Sequence, residues 1–218
     1  MEYLEKGNLY NIFPPDKKKK LKLKFCASII KDIISAVYFL HNMNPPLIDL
    51  NIKPENILLS KDLVAKLGDF AWNTYLQEEI NLRKAIHFTP SYFTPETLLG
   101  KEYDESSDIW HIGALLYELV TATIPFIGGD FDIMKDNILK LKFYWPKDIN
   151  SDAKDLIQKI LKLNPKERLS LEDMLKHPFI TQYFPDAEKC LIKPGEGVKY
   201  RPFIISKDDP KSWIPEKI

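Results

Sequence analysis

The residues best suited to chemistry lie close together in two segments, LIDLNIKPENILLS (47–60) and KLGDFAW (66–72). Their side chains include the carboxylates of Asp49 and Asp69, the carboxamides of Asn51 and Asn56, and the ammonium group of Lys53. Asn and Asp side chains often stabilise loops by bonding to nearby backbone groups, so a purely structural role is open to each of them. Residue types alone do not decide between a chemical role and a structural role for these side chains.

No metal or disulfide site is predicted from the remaining residues. Cys26 and Cys190 are the two cysteines, which excludes a disulfide scaffold or a four-cysteine zinc site and fits a reducing compartment. His111 is predicted to be a packed helix residue, because no second His stands at metal-ligand spacing.

Helices and short strands must position the two segments. Apolar residues from Phe25 to His41 follow the three-and-four spacing of a helix face. Ser151 is the predicted N-cap of the helix DAKDLIQKILKL. Further helices are predicted over 105–121, 131–141 and 171–176, short strands over 47–48, 57–59 and 64–67, and a surface loop over 73–87.

Composition excludes several classes of protein. The 218 residues suit one domain with an appendage, and 44% hydrophobic residues are too many for a disordered chain. Lys+Arg and Asp+Glu both number 31, so no overall field favours nucleic acid. The most apolar window (111–129) contains Glu118 and Pro125 and is predicted to be a buried helix, not a membrane span. Residues 1–184 form the predicted lobe, and the proline-rich residues 185–218 form an extended tail.

Five motifs in order make the chain resemble a eukaryotic protein kinase, nearest to Ser/Thr kinases of the Aurora and polo type. The segment 47–60 resembles the catalytic loop HRDxKPEN, with KPEN intact, and 66–72 resembles the DFG segment. The other three motifs are TPSYFTPE (89–96), SSDIWHIG (106–113) and NPKERLSLEDMLKHPFI (164–180). MEYLEKGNLY resembles the kinase hinge, so the resemblance implies a mainly α-helical large lobe with few short strands and without the small lobe.

The resemblance also implies roles for particular residues. Asn56 and Asp69 would hold magnesium through oxygen ligands, and Lys53 would neutralise charge on the transferred phosphate. Leu58 would form the floor under an adenine. Without a small lobe, we expect these to be vestiges and the structural role of Asn56 and Asp69 to dominate.

Two functional positions depart from the family. The HRD aspartate, which accepts the substrate proton, aligns with Asn51, and a carboxamide is a far weaker base. The HRD arginine, which binds activation-loop phosphate, aligns with Leu50, and the usual phosphate acceptors align with Lys84 and Ala85. Asp49 aligns with the family's His and is expected to point into the core. The structural positions are kept: Glu96 with Arg168, and Asp108.

These observations favour a catalytically inactive kinase-like module, a pseudokinase that binds other proteins. Two alternatives stay open: a Ser/Thr kinase represented by a truncated chain, and a structural component of a cytoskeletal or ciliary assembly. The inactive, pseudokinase interpretation implies no cofactor and no phosphotransferase activity, whereas the kinase alternative implies Mg-ATP. The setting would be intracellular, cytoplasmic or cytoskeleton-associated. A large lobe without its small lobe would expose an apolar surface at Leu58, Tyr3, Leu4 and the top of the predicted helix 25–41. The partner would be a protein, bound through this exposed lobe surface and through tail aromatics. Those aromatics are Tyr200, Phe203 and Trp213.

Overall fold

The structure is a computed structural model, and it describes residues 4–13, 21–68 and 92–195. Within these ranges the chain is mainly helical and contains one two-stranded sheet, as the sequence predicts. The helices are α1 (Leu9–Ile12), α2 (Leu23–His41), α3 (Pro95–Leu98), α4 (Glu105–Thr121), α5 (Phe131–Leu139), α6 (Ser151–Ile160), α7 (Leu171–Leu175) and α8 (Pro178–Thr181). The strands are β1 (Ile57–Leu59) and β2 (Ala65–Leu67), and 3₁₀ turns cover Pro54–Asn56, Pro165–Glu167 and Ala187–Cys190.

Helices α2 and α4 form the centre of the core. The predicted apolar face of α2 is fully buried from Ile29 to Val37, and the helix begins two residues before the predicted Phe25. Helix α4 is buried on nearly all sides, which is why its sequence is apolar without a clear polar face. Gly113 lets α4 approach α6 closely, since a Cβ at this position would lie 2.6 Å from Ile160 Cγ2.

The sheet is a short antiparallel hairpin that lies beside α2. Ile57 pairs with Leu67 and Leu59 with Ala65. The second strand starts one residue later than predicted, because Leu63 has a positive φ of 63° in the turn that precedes it. Residues 47–48 are not in a strand: they lead from α2 into the irregular loop that follows.

Two helix ends differ from the predictions. Asn150, not Ser151, caps α6, because its Oδ1 accepts the Ala153 N–H at 2.9 Å, and Ser151 is the first helical residue. Helix α5 ends at Leu139 and not at the predicted residue 141, since Leu141 has a φ of 51°, outside the helical region.

The lobe continues past residue 184, where the tail was predicted to begin. Ala187 is 3% exposed, and the Ser35 hydroxyl donates to the carbonyl of Cys190 at 2.6 Å. The 3₁₀ turn Ala187–Cys190 therefore packs on α2 and α7. The predicted tail aromatics and the predicted loop 73–87 lie outside the described residues.

Candidate functional site

The backbone of the loop after α2 is held by one buried carboxylate from the first turn of α4. Asp108 Oδ2 accepts the Asp49 N–H at 2.9 Å, and Oδ1 accepts the Leu50 N–H at 2.7 Å. His41, the last residue of α2, lies 2.8 Å from Asp108 Oδ2 through Nε2. Asp108 is fully buried, so these three contacts satisfy an otherwise costly charge and fix the loop against both central helices.

The backbone of the anchored loop is strained at Leu50. Its φ is 59°, in the left-handed region, which costs a non-glycine residue about 1–2 kcal/mol. Such strain persists only where surrounding contacts determine the backbone, and here the bond to Asp108 does so.

Asn51, Lys53 and Asn56 follow on the same loop, and all three are half-buried. Asn56 Nδ2 donates to the Asn51 carbonyl at 2.9 Å, and the Asn56 carbonyl accepts the Gly68 N–H at 2.8 Å. Asn56 thus makes the loop-stabilising bonds that a structural role requires. Because its Nδ2 is used in this way, Oδ1 is the oxygen suited to a cation such as Mg²⁺. Asp69, the other predicted metal ligand, lies outside the described residues.

Asp49 is fully buried, as predicted for the position aligned with the family's His. A carboxylate with no solvent exposure is not available to a substrate at the surface. Asp49 therefore cannot take over the part of Asn51 without a shift of the loop away from Asp108.

Leu58 lies on β1 and is half-buried. It pairs with Asn8 through an isolated bridge, and a Cβ on Gly68 would lie 3.2 Å from its Cδ1. Leu4 is also half-buried, while Tyr3 lies outside the described residues.

The apolar surface predicted at Leu58, Leu4 and the top of α2 is therefore not a bare patch among the residues described. The reason is that α2 packs on α4, β2, α7 and α8. Among the exposed large apolar side chains, Leu99, Ile127, Phe131 and Ile133 lie around α3 and α5, while Leu63 and Val64 lie in the turn of the hairpin and Tyr10 on α1.

Glu96 and Arg168, which were predicted to keep a structural role, form a buried ion pair. Nη1 and Nη2 of Arg168 bind the two Glu96 oxygens at 2.8 and 2.7 Å, and the Ser107 hydroxyl donates to the same carboxylate at 2.9 Å. Burial alone would raise the pKa of Glu96, but the bonds and charge of Arg168 outweigh it, and the pKa is lowered. The pair ties α3 to the loop before α7.

A second buried contact, which was not predicted from the sequence, joins the segment before α3, part of the motif TPSYFTPE (89–96), to α4. The Tyr92 hydroxyl donates to Glu118 Oε2 at 2.6 Å. Burial raises the pKa of Glu118, and the nearby Glu55 adds to this, while the bond from Tyr92 acts in the opposite direction. The sequence signal was a charged residue in the most apolar window, where a buried partner is required.

A small pocket of about 20 Å³ lies between the loop that follows α2 and the segment that precedes α3. It is lined by residues 50–53, by Tyr92 and Phe93, and by His111 of α4. His111 is 6% exposed, so the predicted packing on the helix is correct, but its Nδ1 has no hydrogen-bond partner. Burial lowers the pKa of His111, with smaller opposing effects from Asp108 and Glu96. The imidazole is neutral near pH 7.

Among the residues that the structure describes, no group of three His, Cys, Asp or Glu side chains could hold a metal ion. In the same ranges, no helix has the length and apolarity that a membrane span needs.

Comparison with known sequences agrees with this architecture. The sequence profile of the protein kinase domain matches residues 1–180. Aurora kinase from Saccharomyces cerevisiae is 36% identical over 189 residues, which cover 85% of this chain and 49% of that protein. Aurora kinase C from Mus musculus is 34% identical, over 84% of this chain and 64% of that protein. Serine/threonine-protein kinase PLK4 from Drosophila virilis is 29% identical, over 84% of this chain and 23% of that protein.

The fold and the matched length define a protein of the kinase class. The chain belongs to the protein kinase domain family, and the predicted resemblance to Aurora and polo-type Ser/Thr kinases is confirmed. It spans about half the length of the yeast Aurora kinase that it matches.

Proposed function

We propose that this kinase-family chain binds protein partners and does not transfer phosphate efficiently. The observation that carries the proposal is the anchoring of Asp49 and Leu50 to Asp108. With that backbone fixed and KPEN intact, Asn51 is the residue that would face a substrate hydroxyl in a kinase-like complex. Its carboxamide cannot take the proton, and general-base assistance is worth about 10²–10⁴-fold in rate.

Two further features support the same conclusion. Asp49 has no exposure, so a carboxylate two residues earlier does not replace the base. Leu50 offers no charge to a phosphorylated loop, where an arginine would form paired hydrogen bonds with the phosphate. Asn51 and Leu50 thus replace both the general base and the arginine that binds phosphate in the family. The contacts that maintain the fold, made by Asp108 and by the Glu96–Arg168 pair, are kept.

A second candidate function, a Ser/Thr protein kinase, is favoured by Lys53, by the carboxamide oxygen of Asn56 and by the kinases among the relatives. It would require Mg-ATP.

Thermal melting of the native protein in millimolar Mg-ATP separates the two candidate functions, since a ligand at a hundred times its dissociation constant stabilises a fold by about 2.7 kcal/mol. We expect Mg-ATP to cause the same change in melting temperature in the native protein and in the Asn56→Ala control. A stabilisation by Mg-ATP that is lost in Asn56→Ala would favour the kinase.

The direct test is radiolabel transfer from ATP to a generic protein substrate by the purified native protein. We expect transfer no higher than that of a heat-killed sample, and the same for Asn51→Asp. Lys53→Ala is the matched control for contaminating kinases. Transfer that exceeds background in the native protein and disappears in Lys53→Ala would contradict the proposal.

Binding is tested separately, by cross-linking and affinity isolation of the native protein from its source. Asn51→Ala and Lys53→Ala should retain the isolated partner, because binding as proposed does not depend on chemistry at these residues. Loss of the partner in both variants, with unchanged melting, would instead indicate that the partner is a substrate.

A further inference from the structure

The turn between β1 and β2 carries apolar side chains that the hairpin itself does not require. Leu63 and Val64 are adjacent in this turn and are 43% and 46% exposed, and together they form the hairpin surface. Leu63 has a φ of 63°, in the left-handed region where a glycine or an asparagine is favoured over a leucine. Either of those residues would form the same turn with less strain and without exposed apolar surface. The leucine and the valine are therefore better explained by an occupant that covers them.

The end of the described chain lies beside the hairpin surface. Asp32 Oδ2 accepts the Ala65 N–H at 3.0 Å, and the Ser35 hydroxyl donates to the Cys190 carbonyl at 2.6 Å. Residues three apart share one face of a helix, and the helical rise places Asp32 and Ser35 about 4.5 Å apart along the axis of α2. The hairpin and the turn that leads to residues 196–218 are therefore bound at neighbouring positions on α2.

Lys31 joins the same two elements. Its Nζ lies 2.5 Å from Asp32 Oδ1 and 5.6 Å from the centroid of the Phe184 ring, which precedes the turn Ala187–Cys190. After that turn, Leu191 still packs against the core. The chain thus leaves the core on the side of α2 that also holds the hairpin.

Residues 196–218 contain the apolar groups that can cover the hairpin surface. Four of them stand close together in the sequence, at Tyr200, Phe203, Ile204 and Ile205. An extended chain advances about 3.3 Å per residue, so the chain from Cys190 to Phe203 can span about 40 Å. This length is ample, because one turn of α2 and two side chains bridge the distance between Cys190 and the hairpin.

We propose that residues 200–205 pack on the hairpin surface of the same chain and cover Leu63 and Val64. A short tether gives a segment an effective concentration that is roughly millimolar, so even a weak contact forms. A second copy of the chain would have to offset its lost translational freedom to make the same contact. The contact goes beyond the proposed function and does not depend on it. A partner anchored on Phe203 would compete with the contact, whereas Trp213 lies beyond the docked segment.

Hydroxyl-radical footprinting of the full chain, with mass spectrometry as the readout, measures the solvent exposure of individual side chains. The native chain is compared with the double variant Phe203→Ser/Ile204→Ser. A covered apolar side chain contacts neighbours on most sides, so we expect Leu63 and Val64 to be oxidised at least about threefold more slowly in the native chain. Ile127, which is 62% exposed at a distant surface, should be oxidised equally in both.

The double variant Trp213→Ser/Ile214→Ser is the matched control. It removes similar apolar side chains from the same tail but lies beyond the docked segment, so Leu63 and Val64 should stay protected. Equal oxidation of these two residues in the native chain and in Phe203→Ser/Ile204→Ser would overturn the inference. So would their deprotection in the control, because a different part of the tail would then be the occupant.

Two further measurements test that the occupant belongs to the same chain. Protection of Leu63 and Val64 that increases with protein concentration would assign the surface to a second copy and overturn the inference. Protection that is independent of concentration would support it.

Disulfide trapping gives the second measurement and does not depend on the serine variants. The full chain with Val64→Cys and Phe203→Cys, and with Cys190→Ser to remove the partly exposed native thiol, should form an intramolecular disulfide on mild oxidation. Cys26 is fully buried and does not compete. Ile127→Cys in place of Val64→Cys is the control and should form none. Equal disulfide formation by the two pairs, or its absence from both, would overturn the inference.

Discussion

At the scale of single residues, the Glu96–Arg168 pair makes the sharpest prediction of stability. Arg168→Leu should lower the free energy of unfolding by about 3–5 kcal/mol, because it leaves the Glu96 carboxylate buried without its countercharge. Urea denaturation measures the change. Lys176→Met, which removes an exposed partner 3.7 Å from Asp173, is the control and should have little effect. Equal losses in both variants would contradict the prediction.

The same pair determines how stability depends on pH. Folding lowers the pKa of Glu96 from 4.5, so the unfolded chain takes up this proton at a higher pH than the folded chain does. The stability that the ionised Glu96 contributes is therefore fully present above about pH 4.5. It is lost as the pH falls through the lower, folded pKa. Arg168→Leu removes both effects of Arg168 and leaves burial opposed only by the Ser107 and backbone hydrogen bonds, so the folded pKa of Glu96 rises. This variant should therefore gain stability relative to the native chain as the pH falls.

Tyr92 and Glu118 give a second prediction, with the opposite sign. The folded pKa of Glu118 is raised, so the folded chain binds the proton more readily, and stability falls as the pH rises from 4.5 through that pKa. Tyr92→Phe removes the bond that lowers the pKa. The variant should lose about 1–3 kcal/mol at pH 7 and less at pH 4, as measured by urea denaturation.

Tyr183→Phe serves as the control for this measurement. Tyr183 is half-buried against the core, and its hydroxyl is not paired with a carboxylate within the described ranges. A loss in Tyr92→Phe that is the same at both pH values would show that packing, and not the ionisation of Glu118, is responsible.

The sequence predicted these residues unevenly. Glu96, Arg168 and Asp108 were found because each stands within a motif whose spacing implies a partner. The partner of Glu118 was not found, because Tyr92 lies 26 positions earlier and no periodicity links the two. His111 was correctly expected to pack on the helix, but its free nitrogen depends on which side chains happen to surround it, and sequence patterns do not contain that information.

At the scale of elements, the cap of α6 gives a prediction that compares neighbouring residues. Asn150→Ala should lower the free energy of unfolding by about 1 kcal/mol, because the Ala153 N–H loses its acceptor. Ser151→Ala, at the first helical position, should have little effect or a slight stabilising one. Thermal or urea unfolding of both variants measures the difference, and a larger loss for Ser151→Ala would contradict the structure.

The error at this cap has a simple physical cause. Asn150 and Ser151 are both good caps, and the sequence contains no further information on which one has the extended backbone that a cap requires. Long helices were predicted well, because α2 and α4 have apolar patterns that extend over several turns. The predicted strand at 47–48 was wrong, since two apolar residues fit many conformations, and the Leu47 N–H is bonded to the Leu40 carbonyl of α2 at 3.0 Å and not to a strand.

At the scale of the whole molecule, the packed turn Ala187–Cys190 divides the predicted tail. Deletion of 196–218, which keeps the turn Ala187–Cys190, is the reference truncation for the melting temperature. Deletion of 185–218 should lower it, since the burial of Ala187 and the bond between Ser35 and Cys190 are lost. Circular dichroism melting compares the two truncations, and equal melting would show that the turn contributes nothing.

The shorter truncation also tests the predicted partner. If Phe203 and Trp213 are anchors, deletion of 196–218 or their joint replacement by Ala should release the native partner while the lobe stays folded. Affinity isolation of the three proteins provides the measurement. Retention of the partner by both variants would restrict binding to the lobe itself.

The anchoring of the loop at Asp108 has a practical consequence for protein engineering. The backbone amides of Asp49 and Leu50 are bonded to a carboxylate on another helix, which anchors the loop at these two residues. Positions 50 and 51 can therefore be randomised without removing what holds the loop in place. The lobe thus offers a ready-made library scaffold, in which two variable side chains stand on a preset backbone at the mouth of a pocket.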